Sequence, residues 1–286
     1  MKKQINIYTF LLITCIIIIF LFTIIFEDNA YIYQPDNILQ GPSNQHIFGT
    51  DNMGRDFFIR VMHGSKNTLL LALIVTSINI FIGFLFGTFS GYIGGILDSI
   101  FMRIVDAFLS IPNFLIAISL LGIFGGGLFN LILFLSLTGW CNLARIVRNE
   151  VIVIKNEDYI LANKVFGYSS FRNLFYHIIP SIFSVLSFYF ISLFIGEIYS
   201  IVSINFLGLG ISAEIPELGN IISDSKLFLL SKPYLLLFPV IIIFIFSFLL
   251  HILSDELRDY FDRKKSLINY SKFIDFSFIN NNFENE

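Results

Sequence analysis

Long runs without a formal charge alternate along the chain with short polar stretches. Lys2 and Lys3 precede an uncharged run from Gln4 to Phe26, and residues 67–97 and 107–144 carry no Asp, Glu, Lys or Arg. A helix rises about 1.5 Å per residue, so roughly 20 apolar residues cross a hydrocarbon core about 30 Å thick. The run at 107–144 would reach about 57 Å as one helix and must fold back. Gly125-Gly126-Gly127 is the obvious reversal, giving one span near 104–124, kinked by Pro112, and another near 128–146. With Gln4–Phe26, 67–97, and two later runs near 178–204 and 233–253, the pattern predicts an all-α integral membrane protein with six transmembrane helices. A basic start before an apolar run also marks a signal peptide, but residues 26–29 lack a small-x-small cleavage site, so the first run is read as a span.

The polar stretches between the runs are of several kinds. Residues 27–66 form a first external segment whose second half, Ile47 to Asp56, is dense in Gly, Asp and Asn and reads as a structural turn rather than a calcium loop. Gly83, Gly87 and Gly91 recur every four residues in the second span, a small-xxx-small pattern that lets another helix approach closely. Asp98, Arg103 and Asp106 sit at the next interface, where Arg103 and Asp106 at i,i+3 are placed to pair. A glycine-punctuated second external segment covers 205–232, and the tail after Arg263 has no clear period.

The remaining polar stretch, 157–180, differs from these. Tyr159, Ala162 and Phe166 recur at helical spacing, Gly167 stops that helix, and Ser169 or Ser170 can cap a second one with Phe171, Leu174, Phe175 and Ile178 on its apolar face. The expectation is two short amphipathic helices meeting at a glycine. Tied to spans at both ends, this island needs something to cover its apolar face, and periodicity leaves open whether that is lipid headgroups or another protein.

Composition agrees with a membrane protein: 56% of residues are hydrophobic and only 14% charged. The net charge of −3 excludes a nucleic-acid binder, which needs a basic face. Under the six-span topology 13 of the 18 Lys and Arg residues fall on the island's side, placing it and both termini in the cytoplasm. Neither Cys15 nor Cys141 belongs to a CxxC pair, and no nucleotide-binding, zinc-protease or hydrolase motif occurs, so no catalytic residue, metal site or cofactor is predicted. Glu197 is the one acid well inside an apolar run, which makes it a candidate for a translocation path; bonding to Ser200 or to a neighbouring helix is the alternative.

In register, the island resembles the Glu-Ala-Ala loop of type I ABC importer permeases. Ala162, Gly167 and Pro180 keep the frame, whereas Leu161 and Asn163 replace the eponymous Glu and second Ala. His46 to Asp56, Gly91-Tyr92-Ile93-Gly94-Gly95 with Asp98, Met102, Arg103 and Asp106 after it, Gly139-Trp140 followed by Ala144-Arg145 and Val147-Arg148, Phe206 to Gly210, and Asp255-Glu256-Leu257-Arg258-Asp259 with Asp262 are similar to stretches of the peptide/nickel permease class, so the resemblance covers roughly residues 1–263.

The resemblance implies a type I ABC importer permease fold: a first transmembrane helix at 1–26, an external loop at 27–66, a core at 67–255 with a cytoplasmic coupling loop at 147–177, and a tail at 256–286. It implies a non-catalytic subunit of the bacterial inner membrane that pairs with a homologous second permease in a heterodimer. Two cytoplasmic ATPase subunits and an extracytoplasmic substrate-binding protein complete the expected assembly. Contact with the ATPase is expected at Tyr159, Ile160, Leu161, Ala162, Asn163, Val165, Phe166, Gly167, Tyr168 and Ser169, with Pro180 behind them. Di- or oligopeptides are the expected cargo, with nickel or another metal chelate as the alternative. Outside this class, an ion-coupled secondary transporter is the rival reading.

Overall fold

The computed structural model describes residues 2–26 and 31–283, with side chains for 9–26, 31–183 and 186–259. The opening of the predicted external segment, the side chain of Asp262 and the chain end lie outside these described residues. The element order is α1 (Lys2–Ile25), α2 (Phe57–Ile93), α3 (Gly95–Leu109), α4 (Asn113–Phe124), α5 (Leu128–Lys155), α6 (Asp158–Val165), α7 (Ser170–Asn173), α8 (Ile179–Phe206), α9 (Leu218–Ser225) and α10 (Tyr234–Phe283). No strand occurs among the described residues. The nearest thing to one is an isolated bridge between Thr50 and Asp56.

Four helices are long and apolar enough to cross a membrane, namely α2, α5, the described part of α8 from Leu186, and α10 as far as Asp259. The bent pair α3–α4 makes a fifth if it is counted as one span; its two halves meet at 73°. Pro112 explains the break, because its ring forces the residue before it out of helical geometry. The described apolar part of α1, Thr9–Ile25, is shorter.

Several helices overrun their predicted ends. α2 begins at Phe57 rather than near 67, capped by the Asp56 carboxylate, which accepts from the Ile59 amide at 3.0 Å. Arg60 and His63 do not interrupt it because both are buried, Arg60 with its Nε 3.4 Å from Asp51. α5 continues past Arg145 and Arg148 to Lys155, and α10 runs on through the predicted end near 253.

The glycine repeat of α2 packs against α5. A Cβ at Gly83 would lie 2.9 Å from the Trp140 carbonyl oxygen, at Gly87 2.5 Å from that of Ala144, and at Gly91 2.7 Å from that of Arg148. Each step of four on α2 is matched by a step of four on α5, so the two helices run side by side in the same direction. α8 runs opposite to them, since Asn79 meets Glu197 while Phe84 meets Phe183.

The main apolar core lies among α1, α2, α4, α5, α8 and α10. A second buried cluster holds Val147 and Val151 of α5 against Ile160 of α6 and Leu174, Ile178 and Ile182. That cluster positions the island.

Candidate functional site

The island is fastened to the far ends of α2 and α5, which α3 braces. Arg148 grips Asp98 in a two-pronged pair, Nε to Oδ1 at 2.8 Å and Nη2 to Oδ2 at 2.6 Å, and the Ser90 hydroxyl donates to the same carboxylate. Such a fork fixes orientation as well as distance. The carboxylate of Asp106, expected to face Arg103 on its own helix, is bonded instead to Arg145 of α5. These two pairs let α5 continue as helix beyond the uncharged run, because its arginines are neutralised from α3.

Tyr92 joins this frame to the island. Its hydroxyl donates to the Ser170 carbonyl at 2.7 Å, its own carbonyl accepts from Lys155 Nζ, and that ammonium lies 5.3 Å from the Tyr92 ring centroid. Composition and periodicity single out neither Tyr92 nor the Asp98–Arg148 pair. Their one sequence signal is membership of the short stretches that carried the family resemblance.

Within the island the predicted break holds. α6 ends at Val165 and Gly167 adopts φ +80°, a conformation open to glycine without a Cβ penalty. The Ser169 hydroxyl caps α7, accepting from the Arg172 amide at 3.2 Å. A π-turn over Leu174–Ile178 then leads into α8, with Pro180 in its first turn. Widening there accommodates a proline that lacks an N–H and crowds the preceding turn.

The face predicted to need a cover is left uncovered by the chain, and the anchor is a residue outside it. Ile160, rather than Tyr159, Ala162 and Phe166, points into the core, joined by Leu174 and Ile178; Phe171 and Phe175 are exposed. Outward lie Leu161, Val165, Phe166 and Tyr168, with Val165 87% and Phe166 78% exposed. Asn163 is half-buried, and Ala162, Gly167, Ser169 and Pro180 are exposed. Large apolar groups thus cluster on a short exposed segment, a kind of face that soluble monomers seldom leave uncovered.

Glu197 is separate from the island. It is buried in α8 and accepts from Asn79 Nδ2 of α2 at 3.0 Å, while Ser200 bonds to the Gly196 carbonyl on its own helix. Glu197 is therefore bonded to a neighbouring helix rather than to Ser200. Asn79 also fills the space beside Gly139, where a Cβ would lie 2.2 Å from Nδ2.

At the opposite end, the predicted turn is a clasp around Asp51. Its Oδ1 accepts from the amides of Met53 (2.8 Å) and Arg55 (2.9 Å), and its Oδ2 from Arg55 Nε at 2.7 Å. The segment predicted as the second external one folds back over α2. Glu217, fully buried, accepts from the amides of Gly219 (2.7 Å) and Asn220 (3.2 Å) at the start of α9, and the Thr68 hydroxyl lies 2.7 Å from its Oε1. Burial pushes the Glu217 carboxyl up to about 7, opposed by the hydrogen bonds from Thr68 and the α9 amides. Glu217 was not singled out from the sequence, where it reads as one more loop acid.

Comparison with known proteins matches this arrangement to a family. The profile described as "Binding-protein-dependent transport system inner membrane component" matches residues 83–267, which include α5, the island and α8. The chain is 34% identical over 257 residues to the oligopeptide transport system permease protein OppC of Bacillus subtilis, covering 89% of this chain and 84% of that one. It is 33% identical to the dipeptide transport system permease protein DppC of Alkalihalophilus pseudofirmus, covering 92% and 87%. It is 33% identical to the glutathione transport system permease protein GsiD of Pectobacterium atrosepticum, covering 80% and 76%. With the profile spanning the helices that hold the island, and relatives aligned over most of both chains, the protein belongs to the family of binding-protein-dependent transport system inner membrane components.

Proposed function

We propose that the chain is one permease subunit of an ATP-driven importer that carries di- and oligopeptides across the bacterial plasma membrane. The observation that carries this reading is the island. Its apolar outer face, Leu161, Val165, Phe166 and Tyr168, is exposed, while its inner face is anchored by Ile160 and bonded to α2 through Tyr92. A rigidly held, unpartnered apolar face at the end of membrane helices suits a protein that pushes on it, here a cytoplasmic ATPase subunit. Ile160 then acts as the anchor beneath that contact, and Gly167 sets the angle between its two halves.

Six crossings are the topology we favour. Two helices that run in the same direction need one return crossing between them, which supports counting the bent pair α3–α4 as a single span. α1 supplies the sixth, and the positive-inside bias puts the island and both termini in the cytoplasm. A homologous second permease, two ATPase subunits and an external binding protein complete the transporter. Peptide cargo is favoured over nickel by the oligopeptide, dipeptide and glutathione names of the relatives.

The test is uptake of a labelled dipeptide, and of radioactive nickel, by cells with the gene deleted or restored, together with purification of the tagged chain from their membranes. Restoration of peptide uptake and co-purification of ATPase subunits are expected. Unchanged peptide uptake, or a chain that purifies alone, would sink the reading.

A further inference from the structure

Between α8 and α10, in the half of the spans nearer the island, the helices part around an open cavity of about 220 Å³. On this measure one water needs about 10–15 Å³, so the space suits a small solute. Its α10 wall is the stripe His251, Ser254, Asp255 and Arg258, spaced i, i+3, i+4 and i+7 on one helix face. Tyr189 and Ser192 of α8 face that stripe across the cavity. His251 Nδ1 donates to the Ser247 carbonyl at 2.7 Å, which leaves Nε2 as the ring's other polar atom. The side chains of His251, Asp255 and Arg258 are exposed.

His251 is the one acidic or basic side chain inside the apolar run of α10, and Ser254, Asp255 and Arg258 continue its face where that run ends near 253. The cavity thus opens at the mouth of the spans, where a solute leaving them passes. The mixture of signs narrows the solute. A site for an anionic lipid headgroup would gather cations alone, whereas here an acid stands within one turn of an imidazole and of a guanidinium. Charges of both signs with hydroxyls between them fit a zwitterion whose ends are a carboxylate and an ammonium.

We propose that this cavity is a transient site for a short peptide in transit, with Arg258 and His251 receiving its carboxylate, Asp255 its ammonium, and the hydroxyl of Tyr189 its amide, while Ser192 and Ser254 line the walls. This rests on the reading of the chain as a peptide-importer subunit. The forked guanidinium matches a carboxylate geometrically, and the open mouth suits release rather than storage.

The test uses inside-out membrane vesicles from cells producing the whole transporter, with Cys15→Ser and Cys141→Ala as background and Ser192→Cys as reporter. A hydrophilic maleimide labels the reporter with and without free dialanine, and with N-acetyl-dialanine amide, which has the same backbone and no terminal charge. Free dialanine slows labelling and the blocked form does not. Asp255→Asn raises the half-protecting concentration of free dialanine about tenfold, as expected for loss of one charge-assisted contact. Ser254→Cys repeats the measurement from the facing helix and guards against a local folding defect in the first reporter.

Equal protection by the blocked peptide overturns the proposal, as does absence of labelling at both reporters. Labelling that follows the anionic-lipid content of the vesicles and ignores peptide makes the cavity a lipid site. Absence of protection in vesicles from cells that still import dialanine through this transporter refutes the site and leaves the importer reading standing. Cells that import no peptide through it refute both.

Discussion

Gly87 shows how a single atom is constrained in this protein. Any Cβ there would press to 2.5 Å from the Ala144 carbonyl, and helix backbone cannot give way as a flexible side chain can. Gly87→Ala should therefore cost about 1–3 kcal/mol of overpacking, read as a lower thermal midpoint of the detergent-purified protein, whereas Gly122→Ala, at a helical glycine with open space around it, should not. At Glu197 the chemistry is polar. Glu197→Gln keeps an acceptor for Asn79 and should leave peptide uptake close to normal, while Glu197→Leu strands the buried amide at about 1–3 kcal/mol and lowers the amount of folded protein. Proton-coupled uptake abolished by Glu197→Gln would contradict the structural role given to this acid. The glycine spacing was legible in the sequence because close helix approach leaves a four-residue signature. The partner of Glu197 was not, since Asn79 lies 118 positions away and nothing local marks it.

At the level of elements, the island's break was readable and its orientation was not. Gly167 announces a left-handed residue, and Ser169 a cap, through local chemistry alone. Which face turns inward depends on Val147, Val151 and Ile182 of the flanking helices, so burial of Ile160 in place of Phe166 is a tertiary outcome. Gly167→Leu would place a branched side chain at φ +80°, a cost of about 1–2 kcal/mol, or a factor of about 5–30 in the population of the native bend. Peptide uptake should fall correspondingly while the amount of protein in the membrane stays the same, as judged by immunoblot. Full uptake by that variant would remove the coupling role. Helix ends were misjudged for a related reason. Arg60 and Arg148 fall outside the predicted spans, yet each is accommodated by a carboxylate from outside its own helix that lets the helix continue.

For the whole molecule, the hydropathy pattern located every long apolar helix, because lipid demands continuous apolar runs whatever the packing. The folded-back external segment was less legible, because its order comes from pairings such as Asn67 with the Pro216 carbonyl, 149 residues apart. Its buried acid makes it pH-sensitive. Glu217 ionises at about 7 in the folded protein against an ordinary 4.5, so the folded state holds this proton more tightly than the unfolded state does. Its contribution to stability is thus fully present below about 4.5 and is lost as pH rises through about 7. Hydrogen exchange at the Gly219 and Asn220 amides should accelerate over that window by more than the intrinsic chemistry predicts, and Glu217→Gln should flatten the excess. The same helix that meets this acid also reaches the island. α2 is about 55 Å long at 1.5 Å per residue, held by the Asp51 clasp at one end, by Thr68 and Asn79 along its length, and by Tyr92 at the other. It is a connecting rod with bearings at both ends, stiffened by its glycine seam against α5. On the proposed reading, a stroke delivered at the island arrives at the Asp51 clasp in the same movement, and the two ends of the spans share one degree of freedom.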